Sequence, residues 1–266
     1  MTDEATPEFP GAGAGALSLP PGFQVVALGA VGSTNDEAKD RARSGFPERT
    51  VVWARSQQTG RGRRGRAWTS PEGNLYTSTI LRPRVTPAVA AQMSFVASLA
   101  IAETAEAFLP PMAAVRCKWP NDVLVNGRKV AGILLESEAG ADGRLSWLVL
   151  GVGINLRHFP EGTEFAATSL AEEGAEHPEP ATALEVYAQT LARWYARWQA
   201  EGFDPVRAAW LARAVNRGGP VVVRLSDREL SGTFVDLDSD GVLLLDRGDG
   251  GAPVRIAAGD VFFPGS

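Results

Sequence analysis

A chain of 266 residues with a net charge of -5 can bury a substantial core. Its acidity argues against a general nucleic-acid coat, which presents a broad basic face. One cysteine excludes an internal disulfide framework and fits a reducing compartment; with only two histidines beside it, a structural zinc site is excluded as well.

Residues 1–22 are rich in Gly, Ala and Pro and predict a disordered tail. Asp3 and Glu4 stand where a signal peptide carries positive charge, so the expected location is the cytoplasm. Ordered sequence starts near Phe23, with a strand over 24–28. A helix follows from Ser33-Thr34-Asn35; Thr34 and Glu37 have capping-box spacing, and Gly45 is the stop. The β-branched run 51–56 and the alternating run 75–81 predict strands on either side of an arginine-rich loop. An Ala-rich helix over 88–108 ends at Pro110-Pro111. Gln92, Ser94 and Ser98 interrupt its apolar character, so it reads as a core helix and no membrane is involved.

Strands come next. VRCKW precedes Pro120, and the runs 123–125 and 129–137 flank Asn126-Gly127-Arg128, a strong hairpin signal. The turn AGADG and the run 145–156 make a second hairpin. Successive hairpins predict a mostly antiparallel mixed sheet backed by helices, an α+β fold. Residues 171–182 read as a loop, and Leu184, Tyr187, Leu191, Trp194, Tyr195 and Trp198 recur at helical spacing over 182–200. After Asn216 the chain changes to short strands with turns at Asp240-Gly241 and Gly250-Gly251, predicting a small C-terminal β-barrel. The expected organisation is therefore a main unit over 23–215 and a barrel over 216–266.

Three clusters carry candidate chemistry. The first is Gly60-Arg61-Gly62-Arg63-Arg64-Gly65-Arg66, a concentration of positive charge in an acidic chain. It matches GxGxxG in letters, but Trp68, Ser70-Pro71 and Gly73 follow where a dinucleotide fingerprint needs a helix. What remains is either a solvated basic loop or a clamp whose guanidiniums grip phosphate or carboxylate. The second is Lys118-Trp119-Pro120-Asn121-Asp122 with Lys129 and Gly132. Burying an ammonium costs several kcal/mol, so Lys118 either pairs with Asp122 or meets an incoming anion. The third is Gly151-Val152-Gly153-Ile154-Asn155. Paired strand glycines signal a bulge or the close approach of a backbone or planar group.

Taken in order, STN (33–35), QQTGRGRRGRAW (57–68), SPEGNLYTS (70–78), KWPNDVLVNGRKVAGIL (118–134) and GVGIN (151–155) resemble the biotin protein ligase family. The resemblance implies a fold akin to class II aminoacyl-tRNA synthetases, with an SH3-like C-terminal barrel. It implies two steps: biotin and ATP give biotinyl-5′-AMP and pyrophosphate, then a lysine of a biotin carboxyl carrier domain of acetyl-CoA carboxylase or a similar carboxylase takes the biotin. Bifunctional members carry a winged-helix DNA-binding domain before STN. Here the preceding residues are Gly/Ala/Pro-rich, so a ligase without repressor function or nucleic-acid partner is expected. An edge strand of the sheet leaves room for a homodimer, as elsewhere in the family.

The same resemblance distributes the roles. Ser33, Thr34, Asn35 and Gln57 would bind biotin, with Arg61, Gly62 and Arg63 closing over it and Gly132 admitting it to the backbone. Lys129 would sit between the biotin carboxylate and the α-phosphate; Arg63 and Asp122, the latter orienting the carrier lysine, complete the catalytic set. Arg63, Arg66, Lys118, Asn121, Lys129, Gly151, Gly153 and Asn155 would face the nucleotide. Trp68 would stack on adenine or belong to the core. Mg²⁺ would arrive on ATP instead of in a protein-built site. Two anions 4 Å apart repel by ~4 kcal/mol at an effective dielectric near 20, which gives the cations their work. The glycines and mutually repelling arginines predict a loop that orders only on ligand binding. Cys117 is expected to be structural. Lipoate ligases are the nearest rivals, although GRGRRG and KWPND fit biotin ligases better.

Overall fold

Short β-branched runs between turns become strands, and the Ala-rich and aromatic-rich runs become helices. The computed structural model describes residues 17–263. The main unit comprises β1 (Gln24–Val31), α1 (Thr34–Arg43), β2 (Thr50–Gln57), β3 (Leu75–Leu81), α2 (Pro87–Ala90), α3 (Met93–Phe108), β4 (Val115–Lys118), β5 (Asp122–Val125), β6 (Arg128–Ala139), β7 (Leu145–Ile154), α4 (Pro180–Glu201) and α5 (Asp204–Arg213). The C-terminal unit comprises β8 (Pro220–Arg224), β9 (Glu229–Leu237), β10 (Leu243–Asp246), β11 (Val254–Ile256) and β12 (Asp260–Phe262).

Seven strands form one sheet in the order β1-β2-β3-β7-β6-β5-β4. Only β1 and β2 pair in parallel, joined through the crossover helix α1; the other neighbours are antiparallel, as their hairpins require. The hairpin at Asn126-Gly127 has both residues at positive φ, 49° and 81°, the backbone that Asn-Gly favours.

The period-2 alternation of strands sorts side chains into two layers. Val51 and Trp53 face the large core with α3, α4 and α5. Val52 and Ala54 face the small core under α1, with Ala38, Ala42, Ile80, Trp147 and Val149. Burying so much apolar surface stabilises at about 25 cal/mol per Å² and fixes the register, because a one-residue slip would exchange the layers. The segment Pro87–Phe108 is apolar and long enough to cross a membrane, yet 72% of its apolar 18-residue stretch is buried as this core.

Several elements differ from expectation. The helix over 88–108 is interrupted at Ala91-Gln92, where Gln92 accepts from Trp198 Nε1 at 2.8 Å and donates to Ser239 O at 3.4 Å. The helix α5 was not foreseen; its Val206 and Trp210 are buried, but its ten residues give too few turns for a clear periodic signal. The capping box does not form: Ser33 occupies the N-cap with no side-chain cap bond, and the Thr34 hydroxyl is used elsewhere. Residues 1–16 of the expected tail lie outside the described residues, whereas Leu17 and Leu19 pack against the core.

The C-terminal unit is a five-stranded antiparallel sheet of order β11-β10-β9-β8-β12, an open ladder with β11 and β12 at its ends. Its Val221, Val223, Phe234 and Leu245 join the same core as α5. Trp119 Nε1 donates to Gly241 O at 3.1 Å, so the two units share an interior.

Candidate active site

On the α1 face of the sheet, β7 runs Trp147, Val149, Gly151, Gly153 and then Asn155. The first two sit beneath α1; the glycines mark where the helix gives way to a cavity of about 280 Å³. Both glycines admit a planar side chain rather than forming a bulge. A Cβ on Gly151 would lie 2.1 Å from Asn35 Oδ1, and one on Gly153 would lie 2.5 Å from Trp68 Nε1. Gly132, opposite Gly153 on β6, would meet the same indole at 3.1 Å. Trp68 is therefore a wall of the cavity and no core residue; Gly132 and Gly153 seat its ring.

Beside Gly151 the groups are neutral hydrogen-bond formers. Thr34 donates to Gln57 Oε1 through its backbone N–H at 2.9 Å and its hydroxyl at 3.1 Å. Gln57 Nε2 donates to Ser70 Oγ at 2.9 Å. Ser78 Oγ, from β3, lies 2.8 Å from Thr34 Oγ1 and 2.6 Å from Asn35 Oδ1. Asn35 Nδ2 donates to Glu136 at 2.8 Å. Ser33, Thr34 and Asn35 are all buried.

The arginine loop is stapled by acids from three other elements. Arg61 makes a bidentate pair with Asp36 at 2.7 and 2.8 Å and a further bond to Glu136 at 2.9 Å. Lys39 completes this quartet, 2.7 Å from Asp36 and 3.0 Å from Glu136. The hydrogen bond from Arg61, with Lys39 beside it, holds the Asp36 carboxyl down at about 2. Burial would raise Glu136, but bonds from Asn35 and Lys39 and the charge of Arg61 outweigh it and keep it below the usual carboxylate range. Arg64 and Arg66 share Asp260 Oδ2 from β12, at 3.0 and 2.6 Å. Arg64 takes φ 55° and Gly65 φ 71°, which turns the chain so that both reach it.

This network supplies counter-ions to the mutually repelling arginines of the loop. The repulsion exists, but distant carboxylates cancel it. Among the described residues Arg63 is the one guanidinium of the loop with no carboxylate in ion-pair range. It donates to Asn121 Oδ1 at 3.3 Å and Gly259 O at 3.4 Å, and burial pushes its pKa below the usual guanidinium value despite the charge of Asp260.

The second cluster is also rearranged. Lys118 and Asp122 are opposite in the β4–β5 ladder, yet Asp122 pairs with Lys129 at 2.6 Å. Lys118 instead points its ammonium at the face of Phe165, 3.2 Å from the ring centre, and burial pushes it down to about 8. Phe165 stacks on Phe262 at 4.7 Å. Lys129 Nζ stands 5.3 Å from the Trp68 ring centre. Asn155 donates to Thr168 O at 3.0 Å, leaving its buried Oδ1 without a protein partner. Cys117 is buried, which pushes its thiol up to about 12 and leaves it inert.

Residues 64–212 match the biotin/lipoate A/B protein ligase family, and residues 218–263 match the biotin protein ligase C-terminal domain. A biotin–[acetyl-CoA-carboxylase] ligase of Paracoccus denitrificans is 43% identical over 238 residues, 88% of this chain and 98% of that protein. The chain belongs to the biotin protein ligase family. Among solved structures, the biotin protein ligase of Aquifex aeolicus in complex with biotin and ATP superposes with a TM-score of 0.76 at 26% identity, over 90% of this chain and 97% of that one. The Leishmania major biotin protein ligase in complex with biotinyl-5-AMP gives 0.61 at 25%, over 90% and 100%.

For a biotin protein ligase family member, the convergence is informative: every residue given a role by the resemblance lines this one cavity, from Ser33 at the N-cap of α1 to Asn155 after β7, whereas Arg64 of the arginine loop does not. Sequence reasoning missed the acids Asp36, Glu136 and Asp260, the hydroxyl of Ser78, and Phe165. Glu136 had a signal, since it follows the apolar run of β6, and Asp260 opens the apolar strand β12; an acid in either place needs a partner. Phe165 had none, because it lies in an irregular segment. Asp122 and Asp260 are the cavity's near-buried carboxylates, and each already faces a cation. Among the described residues no group of three or more His, Cys, Asp or Glu could hold a metal.

Proposed function

We propose that this chain activates biotin with ATP to biotinyl-5′-AMP and pyrophosphate, then transfers the biotinyl group to the ε-amine of a lysine on a carboxylase's biotin carrier domain. The observation that carries the reading is the pairing of a neutral, hydrogen-bonding end with an end holding Arg63, Lys118 and Lys129. Gly151 to Asn155 span about 13 Å at the rise of a strand, room for an amphiphilic acid beside a nucleotide. Ser33, Thr34, Asn35 and Gln57 would hold the uncharged head of biotin. Lys129 would lie between its carboxylate and the α-phosphate, offsetting repulsion and stabilising charge that grows in the transition state. Arg63 and Lys118, with no carboxylate of their own in ion-pair range, would meet phosphate, and Asn121 and Asn155 would orient it. Trp68 offers a planar surface to adenine.

Asp122 would release Lys129 to the anions and then face the incoming carrier lysine. The cavity carboxylates are already matched to cations, so Mg²⁺ would enter on the phosphates of ATP, neutralising charge there. Arg61, held by Asp36 and Glu136, would anchor the loop where it closes over biotin. The match across 98% of a relative named only as a ligase supports a ligase-only role. We place the reaction in the cytoplasm, where ATP is plentiful and a free thiol stays reduced.

The test is to incubate the protein with biotin, Mg-ATP and a carrier domain, and to weigh the carrier. One biotinyl group on one lysine, with release of pyrophosphate, is expected. Equal transfer of lipoate under the same conditions would favour the lipoate branch of the family instead.

A further inference from the structure

The sequence holds three lysines against twenty-three arginines, and none of the three presents a free amine. Lys39 Nζ is gripped by Asp36 and Glu136 at 2.7 and 3.0 Å. Lys129 Nζ is 2.6 Å from Asp122 and would exchange that carboxylate only for the anions of the bound ligand, so the ammonium keeps a counter-ion throughout. Lys118 is only 4% exposed and is covered by the ring of Phe165. Every other cationic side chain at the described surface is an arginine, apart from the histidines.

An acyl-adenylate reacts with any unprotonated primary amine. The nitrogen bonds to the acyl carbon, the carbon–oxygen bond to phosphate breaks, AMP leaves, and the new amide loses a proton to solvent. A guanidinium, always protonated and delocalised, does not compete. We propose that the side chains are shielded from the protein's own intermediate: arginine replaces lysine across the surface and each of the three lysine amines is sequestered, so the acyl group passes to a lysine brought by a partner and not to a lysine of this chain. This rests on the acyl-adenylate reading above.

The local chemistry agrees at each site. Burial would lower Lys39, but Asp36 and Glu136 outweigh it and keep the ammonium protonated. Lys118, lowered by burial to about 8, is still mainly protonated at pH 7, and its aromatic cover blocks the approach of an acyl carbon.

Two variants and one reagent test the shield. Glu161→Lys places an amine on an exposed position beside Pro160, which lines the cavity; Met112→Lys places one on a residue that is 92% exposed and outside the lining. Each protein is incubated at pH 7 with biotin and Mg-ATP but no carrier, then mapped by peptide mass. Wild type should carry no biotinyl group on Lys39, Lys118 or Lys129. Glu161→Lys should gain one at position 161, at least about tenfold faster than Met112→Lys gains one at position 112, because the effective concentration of intermediate is highest at the mouth. Biotinylation of a native lysine, or a mouth variant no faster than wild type, overturns the proposal. In parallel, N-hydroxysuccinimidyl acetate without ATP should acetylate wild type at the α-amine alone, and the variants also at the new lysine. Acetylation of native lysines overturns the shield by itself. Absent pyrophosphate release would instead sink the assigned reaction while the reagent arm still decides the shielding.

Discussion

The Gly151 end of the cavity and the Asn155 end are built on opposite terms. At the first, Thr34, Asn35, Gln57 and Ser78 bond one another, and the charges behind them form a closed quartet of Asp36, Lys39, Arg61 and Glu136. At the second, Arg63, Lys118 and Lys129 converge with Asp122 as their one close carboxylate, Asp260 being held by Arg64 and Arg66. A protein of net charge -5 thus keeps a net positive pocket by placing most of its counter-ions where they hold the loop instead of filling the site. The lesson is that the arginines, alike in sequence, differ in their partners: Arg61, Arg64 and Arg66 are held by carboxylates and shape the loop, whereas Arg63 has none and is the one we propose for the ligand.

The sharpest way to break the comparison is Lys129→Ala. Its loss should lower the rate of biotin-dependent ATP–pyrophosphate exchange by about a hundred- to a thousandfold, the scale for one group that stabilises transition-state charge. Biotin affinity should fall far less, because Lys129 meets only its carboxylate and the uncharged head is held at the other end. An equal loss in both measurements would show that the ends are not independent.

Arg63→Gly comes next. Removing a charge-assisted contact worth about 1.5–3 kcal/mol should speed escape of the intermediate roughly ten- to hundredfold while adenylation persists. Bystander proteins should then be biotinylated on their lysines in a carrier-free mixture. Labelling no greater than with wild type would return Arg63 to the same class as Arg61.

At the neutral end the sharper test is Gly151→Ala. The added methyl would stand 2.1 Å from Asn35 Oδ1, a clash that must push the carboxamide off Ser78 or Glu136. Overpacking of this kind costs about 1–3 kcal/mol, seen as a lower Tm, and KM for biotin should rise while KM for ATP does not. Gly29→Ala has nothing within 4 Å of the new methyl and serves as the neutral control.

How much of this was legible beforehand follows from the range of the interactions. The strands, the Asn126-Gly127 hairpin and the aromatic face of α4 are written in short-range periodicity, and the motif residues drew attention because they are chemically unusual where they stand. The partners of those residues are another matter. Asp36, Glu136 and Asp260 find the arginines through tertiary folding, at separations from 25 to 196 residues along the chain. Spacing suggested Lys118 with Asp122, and ladder register even places them opposite; side-chain direction decided otherwise. The parallel pairing of β1 with β2 was equally invisible, since α1 has the length of either a crossover or a surface helix.

The smallest effect concerns Lys118, and it has two signs. Burial lowers its ammonium from 10.5 to about 8, so the unfolded chain holds the proton more tightly than the folded one. Protonation therefore favours unfolding between those values, and the contribution of this residue to stability should rise as pH climbs from 8 towards 10.5. Phosphate affinity must move the other way, because only the ammonium attracts an anion. The value of kcat/KM for ATP, which reports groups of the free enzyme, should fall about fivefold between pH 8 and pH 9. Lys118→Arg should flatten that decline, since a guanidinium keeps its charge throughout. A decline unchanged in the arginine variant would assign the titration to another group and leave Lys118 as a buried cation held by Phe165 alone.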